Sequence, residues 1–226
     1  MKRLLLVVTL VVSSFAQAQY FNTMTGQSFG NLYAANADFM MSQAIQRAAM
    51  QSMLARKRGA QPVAVAPTAA PAPVKKAAPL SATDFKPAGP RKVPEQLEAD
   101  LPEADRAAAV KAFREILAVV QAEPSLRKNN LATSLAVMLG SAIEASSGRT
   151  MSDEEAKSFI SEVNELLVAD GGFKKAKPKD LTAASDTFLL TGALIAGLTE
   201  AGKEDPSQAK LAKELADALL GQFDRK

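Results

Sequence analysis

The sequence predicts an all-α protein: a five-helix bundle over about residues 95–226, preceded by a signal peptide, a short N-terminal amphipathic helix and a Pro/Ala-rich linker. Three observations lead there. No segment shows the apolar/polar alternation of period two that marks a half-buried strand. Five segments after residue 95 repeat apolar residues at helical spacing, each with its own start and stop residues. Between Gly59 and Pro94 lie eight of the twelve prolines, set in Ala, Val and Lys. That composition favours extended polyproline II and builds no packed core, so 59–94 is expected to be a disordered linker that gives the bundle nothing.

Residues 1–18 read as a signal peptide. Lys2 and Arg3 precede the run Leu4 to Val12, and Ala16-Gln17-Ala18 is the small-x-small pattern of a cleavage site. Nine residues cover about half of the ~20 needed to cross a bilayer, so this is not a membrane anchor. The mature protein is expected to be exported, periplasmic or secreted.

Residues 19–58 form a basic arm. Its helix is expected over 36–58, capped by Asn36, with Asp38 at the positive end of the helix dipole and Arg56, Lys57 and Arg58 at the negative end. Met41, Ile45 and Met53 lie on a pliable apolar stripe with Ala49. Met41, Ile45, Met53, Arg56, Lys57 and Arg58 are therefore the candidate partner-binding residues.

The bundle helices follow. The first runs from Pro102 to about Glu123, ending at Pro124, with Val110, Phe113, Ile116, Leu117 and Val120 inward. Asn129 or Asn130 caps the second, which reaches Ser147 before Gly148; Leu131, Leu135, Met138, Leu139, Ala142 and Ile143 make its stripe. Ser152 and Glu155 form a capping box for the third, which carries Phe159, Ile160, Val163, Leu166 and Leu167 inward and stops at Gly171-Gly172. The fourth, about Lys179 to Ala201, is apolar almost all round from Phe188 to Leu198 and is expected to be the central element. Ala193 and Gly197 are its expected points of close approach. Asp205, Pro206 and Gln208 open the last, with Leu211, Leu215, Ala218, Leu219 and Phe223 inward.

Composition narrows the chemistry. With no His, Cys or Trp, the chain builds no Ser-His-Asp or Cys-His nucleophile, no thiolate or imidazole metal site and no disulfide. Ser125 and Lys128 match a Ser-x-x-Lys spacing, but the Lys-Thr-Gly run that accompanies it in penicillin-recognising enzymes is missing. No Gly-rich phosphate loop or calcium-loop spacing is present, so no cofactor is expected. Charge is divided: residues 19–94 carry nine Lys or Arg against two Asp or Glu, a balance of +7, and residues 95–226 carry sixteen against twenty-two, a balance of −6. An acidic bundle argues against nucleic acid, while the basic arm suits an anionic membrane surface, another envelope component or a partner protein. A carboxylate-dependent hydrolase of a cell-wall or surface polymer and a carrier of an apolar ligand are the alternatives.

Asn129-Asn130-Leu131-Ala132, then Ala136 and Ala142 to Gly148, a helix ending at Ala169-Asp170, the apolar helix through Leu194 and Ile195, and Asp205-Pro206-Ser207-Gln208 together form a pattern. From about Phe85 to the C-terminus it resembles a family of exported bacterial proteins classed only as a domain of unknown function. The resemblance implies export and an all-helical domain, and brings no catalytic or binding residues with it.

Overall fold

Helix ends leave backbone donors and acceptors without partners, and this chain supplies those partners locally. The computed structural model describes residues 77–89 and 103–222, and in it the five helices are α1 (Glu103–Ala122), α2 (Leu131–Ser147), α3 (Asp153–Asp170), α4 (Pro178–Ala201) and α5 (Pro206–Gln222). α1 stops two residues before Pro124. The Asn130 side chain caps α2 by accepting from Thr133 N–H, and Gly148, at φ 69°, closes it. The capping box of Ser152 and Glu155 starts α3 and Gly171, at φ 68°, ends it. Pro178 occupies the first turn of α4. Asp205 Oδ1 accepts from both the backbone N–H (2.9 Å) and the hydroxyl (2.7 Å) of Ser207 as α5 begins. The signal peptide, the arm helix 36–58 and the candidate residues Met41, Ile45, Met53, Arg56, Lys57 and Arg58 lie outside the described residues, as does Phe223.

α2 and α4 pack along each other at the centre. α1 lies on α4, α3 lies on α2, and α5 touches both central helices. One apolar cluster joins α2, α3, α4 and α5, including Met138, Leu139, Phe159, Phe188 and Leu198; a second joins α1 to α4 through Phe113, Ile116, Leu190 and Leu194. α4, at 24 residues, is long and apolar enough to cross a bilayer, but 89% of its most apolar window is buried inside the protein, which makes it the core helix.

Three details depart from expectation. Ala218 is exposed, and Ala212 and Ala216 fill the inner face of α5 instead. The close approach falls at Gly192, where a Cβ would stand 2.9 Å from the Met138 Cα, so only glycine lets α2 and α4 meet here. Phe173, in the 3-10 turn Gly172–Lys175, is a core residue, while Lys174, Lys175, Lys177 and Lys179 around it are exposed.

The largest correction concerns the linker. Residues 77–89, inside the stretch expected to contribute nothing, lie across the bundle as a strap: a 3-10 turn Leu80–Thr83 with Leu80 and Phe85 packed on the core and Thr83 wholly buried. On either side of that turn the backbone is extended as in a proline-rich stretch, with Pro79 at φ −61°, ψ 144° and Asp84 at φ −68°, ψ 146°. Its polar groups find partners on α2, α3 and α4, and that docks it.

Leu194 is 1% exposed between α4 and α1. Leu194→Ala is expected to cost about 2–5 kcal/mol through lost transfer energy and a cavity. Gly192→Ala is expected to cost about 1–3 kcal/mol by overpacking, although alanine is the better helix former. Urea denaturation of both variants reads these losses, and a parent-like midpoint for Gly192→Ala would mean that α2 shifts freely.

Candidate functional site

The strap, the α1–α2 turn and the first half of α4 meet around one polar assembly. Asn130 is 0% exposed, Asn164 1% and Thr83 0%, and an isolated buried amide costs several kcal/mol unless its hydrogen bonds are met. They are met by the strap. Asn130 Nδ2 donates toward the Leu80 carbonyl (2.7 Å), Asp84 Oδ1 (2.8 Å) and Thr83 Oγ1 (3.0 Å). Its Oδ1 accepts from the Thr133 amide and hydroxyl, each at 2.9 Å. The Thr83 hydroxyl donates to Asn164 Oδ1 (2.8 Å), and Asn164 Nδ2 donates to the carbonyls of Ala78 (3.1 Å) and Pro79 (3.2 Å). Further along, Ala88 N–H donates to Thr182 Oγ1 (2.9 Å) and Phe85 N–H to the Asn129 carbonyl (2.9 Å). Asn129 holds φ 50°, a conformation asparagine tolerates, which turns the chain so that Asn130 points inward. At the surface Arg127 grips Asp84 with two hydrogen bonds, 2.7 and 2.5 Å.

Beneath this assembly lies a cavity of about 230 Å³, walled by Phe85, Val120, Gln121, Leu126 and Leu189, by Arg127, Lys128 and Asn129 of the turn, and by Thr133, Ser134, Thr182, Ser185 and Asp186. Asp186 is 2% exposed, and its Oδ1 accepts from Gln121 Nε2 at 2.9 Å. The hydroxyl protons of the wall are turned away from the space. Thr133 donates to Asn130 Oδ1, Thr182 to the Pro178 carbonyl (2.9 Å) and Ser134 to the Asn130 carbonyl (3.0 Å). Ser185, 2.7 Å from Ser134, is then the donor of that pair.

The serine of the Ser-x-x-Lys match is exposed and donates to Glu123 Oε1 at 2.7 Å, while Lys128 belongs to the cavity wall. Asp153, Glu154 and Glu155 are the first turn of α3, with Glu155 ion-paired to Arg149. A glycoside-cleaving pair needs two facing carboxyls about 5–10 Å apart, and Asp186 is the one acidic residue in the cavity wall. A second, almost wholly apolar hollow of about 70 Å³ lies between α2 and α3, walled in part by Gly140, Met151, Phe159 and Ile160. Glu144 lies at its edge, accepting from the Met151 amide at 2.6 Å.

The sequence reading assigned no site role to Thr83, Asn164, Ser134 or Gln121, and set Ser185-Asp186-Thr187 aside as a near miss to the Ser-Asp-Asn run of penicillin-recognising enzymes. The available signal was positional. Asn164 falls beside Val163 and three before Leu167, on the buried face, and Thr182, Ser185 and Asp186 extend the all-round burial of α4 one turn toward its start. A family model described as a family of unknown function, DUF6683, matches residues 1–223. No curated protein and no solved structure matches the chain.

The strap generates one prediction. A fragment beginning at residue 77 is expected to be more stable than one beginning at residue 95, because the shorter chain removes the acceptors of Asn130 Nδ2 and both the donor and the acceptors of the Asn164 amide, at about 1–3 kcal/mol for each buried group. Equal urea midpoints for the two fragments would mean the strap contributes nothing.

Two carboxyls give opposite pH signatures. The Arg127 hydrogen bond, aided by Asn130 and opposed by burial, holds Asp84 below its ordinary value of 3.8. Its stabilisation is therefore present above that value and lost as pH falls through the folded value. Burial pushes Glu144 above 4.5, with the Met151 amide opposing. That contribution is full below 4.5 and lost as pH rises through the folded value. Asp84→Asn is expected to lose stability at pH 7 and to converge on the parent in strong acid. Glu144→Gln is expected to equal or exceed the parent at pH 7 and to converge with it below pH 4.5. Denaturation midpoints across pH read both.

Proposed function

We propose, from the premise that the chain belongs to the DUF6683 family of unknown function, that it is an exported, non-enzymatic interaction module whose basic arm engages an anionic envelope surface. Residues 1–18 support export to the periplasm or beyond, by the charged start, apolar run and small-x-small ending. The strap carries the reading. It follows the arm and linker in the chain, and its ties to α2, α3 and α4 couple whatever holds the arm to the interior of the bundle. The polar cavity under the strap is walled by a single carboxyl, and the apolar hollow between α2 and α3 is about 70 Å³. Those features support a scaffold over a hydrolase or a carrier of a large apolar ligand.

Charge supports the geometry. The arm and linker, residues 19–94, balance at +7 and residues 95–226 at −6, so an anionic surface attracts the first and repels the second. Met41, Ile45 and Met53 supply shallow apolar burial beside Arg56, Lys57 and Arg58. A partner protein with an acidic groove is the outcome to expect if lipid fails.

Each basic residue near an anionic lipid surface contributes about 1 kcal/mol, so changing Arg56, Lys57 and Arg58 together to Gln is expected to weaken binding about a hundredfold. Co-sedimentation with vesicles containing phosphatidylglycerol should exceed that with neutral phosphatidylcholine vesicles and should fall as salt rises. Equal binding to both, or no change in the triple variant, removes the lipid surface as partner.

A further inference from the structure

Among the described residues one seam of the bundle stays open. α5 packs on one side of α2, where Ser146 donates to Asp217. Val137 stands nine residues before Ser146, about two and a half turns away, and so lies on the opposite side of α2. The hollow of about 70 Å³ is on that side, walled by Val137 and Gly140 of α2, Ala156 and Ile160 of α3, and Ala196 of α4. Val137, Ala156 and Ile160 are half-buried. Ala196 is the one residue from Ala184 to Leu198 that is not fully buried, so the apolar core helix shows through to solvent here and nowhere else along that run. The volume is far below the ~300 Å³ at which free small molecules are held. It fits the ends of one or two side chains presented by another surface. Its wall is pliable, because the Met151 methyl lies against the bare backbone of Gly140.

Charge and chain reach name the occupant. α3 carries six acidic residues against the single base Lys157, and Asp153 and Glu154 are exposed in the turn that holds Ala156. The segment 36–58, expected from its sequence to be a helix, carries Arg47, Arg56, Lys57 and Arg58 against Asp38, a balance of +3, and repeats Met41, Ile45, Ala49 and Met53 along one face. An amphipathic helix seats its apolar face in a groove of this kind, and methionine adapts to an irregular one. The strap brings that segment to the place. Its first residues are held by Asn164, whose Nδ2 donates to the carbonyls of Ala78 and Pro79. Asn164 follows Ile160 by four residues, about 6 Å farther along the same face of α3. Residues 59–76 reach at most about 60 Å, so the arm meets the hollow from its own chain at an effective concentration on the order of millimolar.

We propose that the arm helix 36–58 docks in this hollow, with the stripe of Met41, Ile45 and Met53 on the apolar wall and the basic residues toward α3. The inference rests on the reading of the arm as the binding element and adds its regulation. The stripe and charges that meet an anionic surface are the ones the hollow holds, so the hollow and the surface compete. An arm docked nine-tenths of the time binds a surface about tenfold more weakly than a free one.

The chain has no cysteine, so single nitroxide labels can be placed through Lys157→Cys, beside the hollow on α3, and through Lys210→Cys on α5 as the control; both lysines are exposed. In the full chain without lipid, the label on α3 is expected to broaden the methyl resonances of Met41 and Met53 and the label on α5 to leave them sharp. Ile160→Gln should cancel that difference and bind phosphatidylglycerol vesicles about tenfold more tightly than the parent. Circular dichroism checks its fold, and Ile45→Asp, outside the described bundle, should cancel the difference as well. Equal broadening from the two labels, or a difference that survives Ile45→Asp, overturns the proposal. Broadening in nitroxide-free chains mixed with labelled ones assigns the hollow to the arm of a second copy and overturns it too. For a parent that binds anionic vesicles, an unchanged affinity in a folded Ile160→Gln also overturns it. The two readings fail separately: a difference between the labels with no preference for anionic vesicles keeps the dock and removes the lipid surface, and anionic binding with equal broadening does the reverse.

Discussion

Two asparagines sealed from water, Asn130 and Asn164, govern how the strap side of the bundle is closed. An amide in a dry interior must have its donors and acceptor met, and each of these amides reaches into the strap for that purpose. Thr83 is the pivot, taking a hydrogen bond from one asparagine and giving one to the other. The first turn of α2 satisfies the Asn130 oxygen through Thr133, but the Asn130 Nδ2 and the whole Asn164 amide find their partners on the strap. The three buried residues therefore act as a unit, and a net value of about 0.5–1.5 kcal/mol per hydrogen bond understates what removing one of them exposes.

The same constraint shapes what lies beneath. Asn130 caps α2 and anchors the strap, so the start of a central helix and the position of the strap are set by one side chain. Ser134 and Ser185 then join α2 to α4 one turn deeper, and Thr182 ties the start of α4 to Ala88. Polar contacts concentrate at this end of the central pair, whereas Gly192 and the leucines of α4 take over farther along. The division follows from packing. Hydrogen bonds fix spacing where side chains are short and polar, and a missing Cβ fixes it where the helices touch backbone to backbone.

Local features were legible in the sequence, and distant ones were not. Ser152 and Glu155 are three residues apart, Pro124, Gly148 and Gly171 act on their immediate neighbours, and the apolar character of α4 is contained in its own run. The strap is a different case. Its prolines correctly implied extended backbone at Pro79 and gave no sign of the 3-10 turn that follows, and the carbonyls of Ala78, Pro79 and Leu80 are what asparagines from afar reach. Composition indicated the conformation and missed the partner. Asp186 was equally hidden, because a lone aspartate in α4 acquires meaning only beside Gln121 of α1, 65 positions away. On α5, Ala218 was placed inward and Ala212 and Ala216 were not, because alanine marks a helix face weakly.

The separations within the strap bear on the order of assembly. Its contacts to Asn130, Asn164 and Thr182 span 46 to 94 positions of chain. During synthesis residues 77–89 emerge before any helix they will lie across, and contacts so far apart in sequence close late because loop entropy opposes them. The strap is thus made first and seated last, which leaves Leu80 and Phe85 uncovered throughout the interval. Polyproline geometry suits that wait: an extended, fully hydrated backbone neither commits to a wrong helix nor offers the regular ladder on which neighbouring chains aggregate.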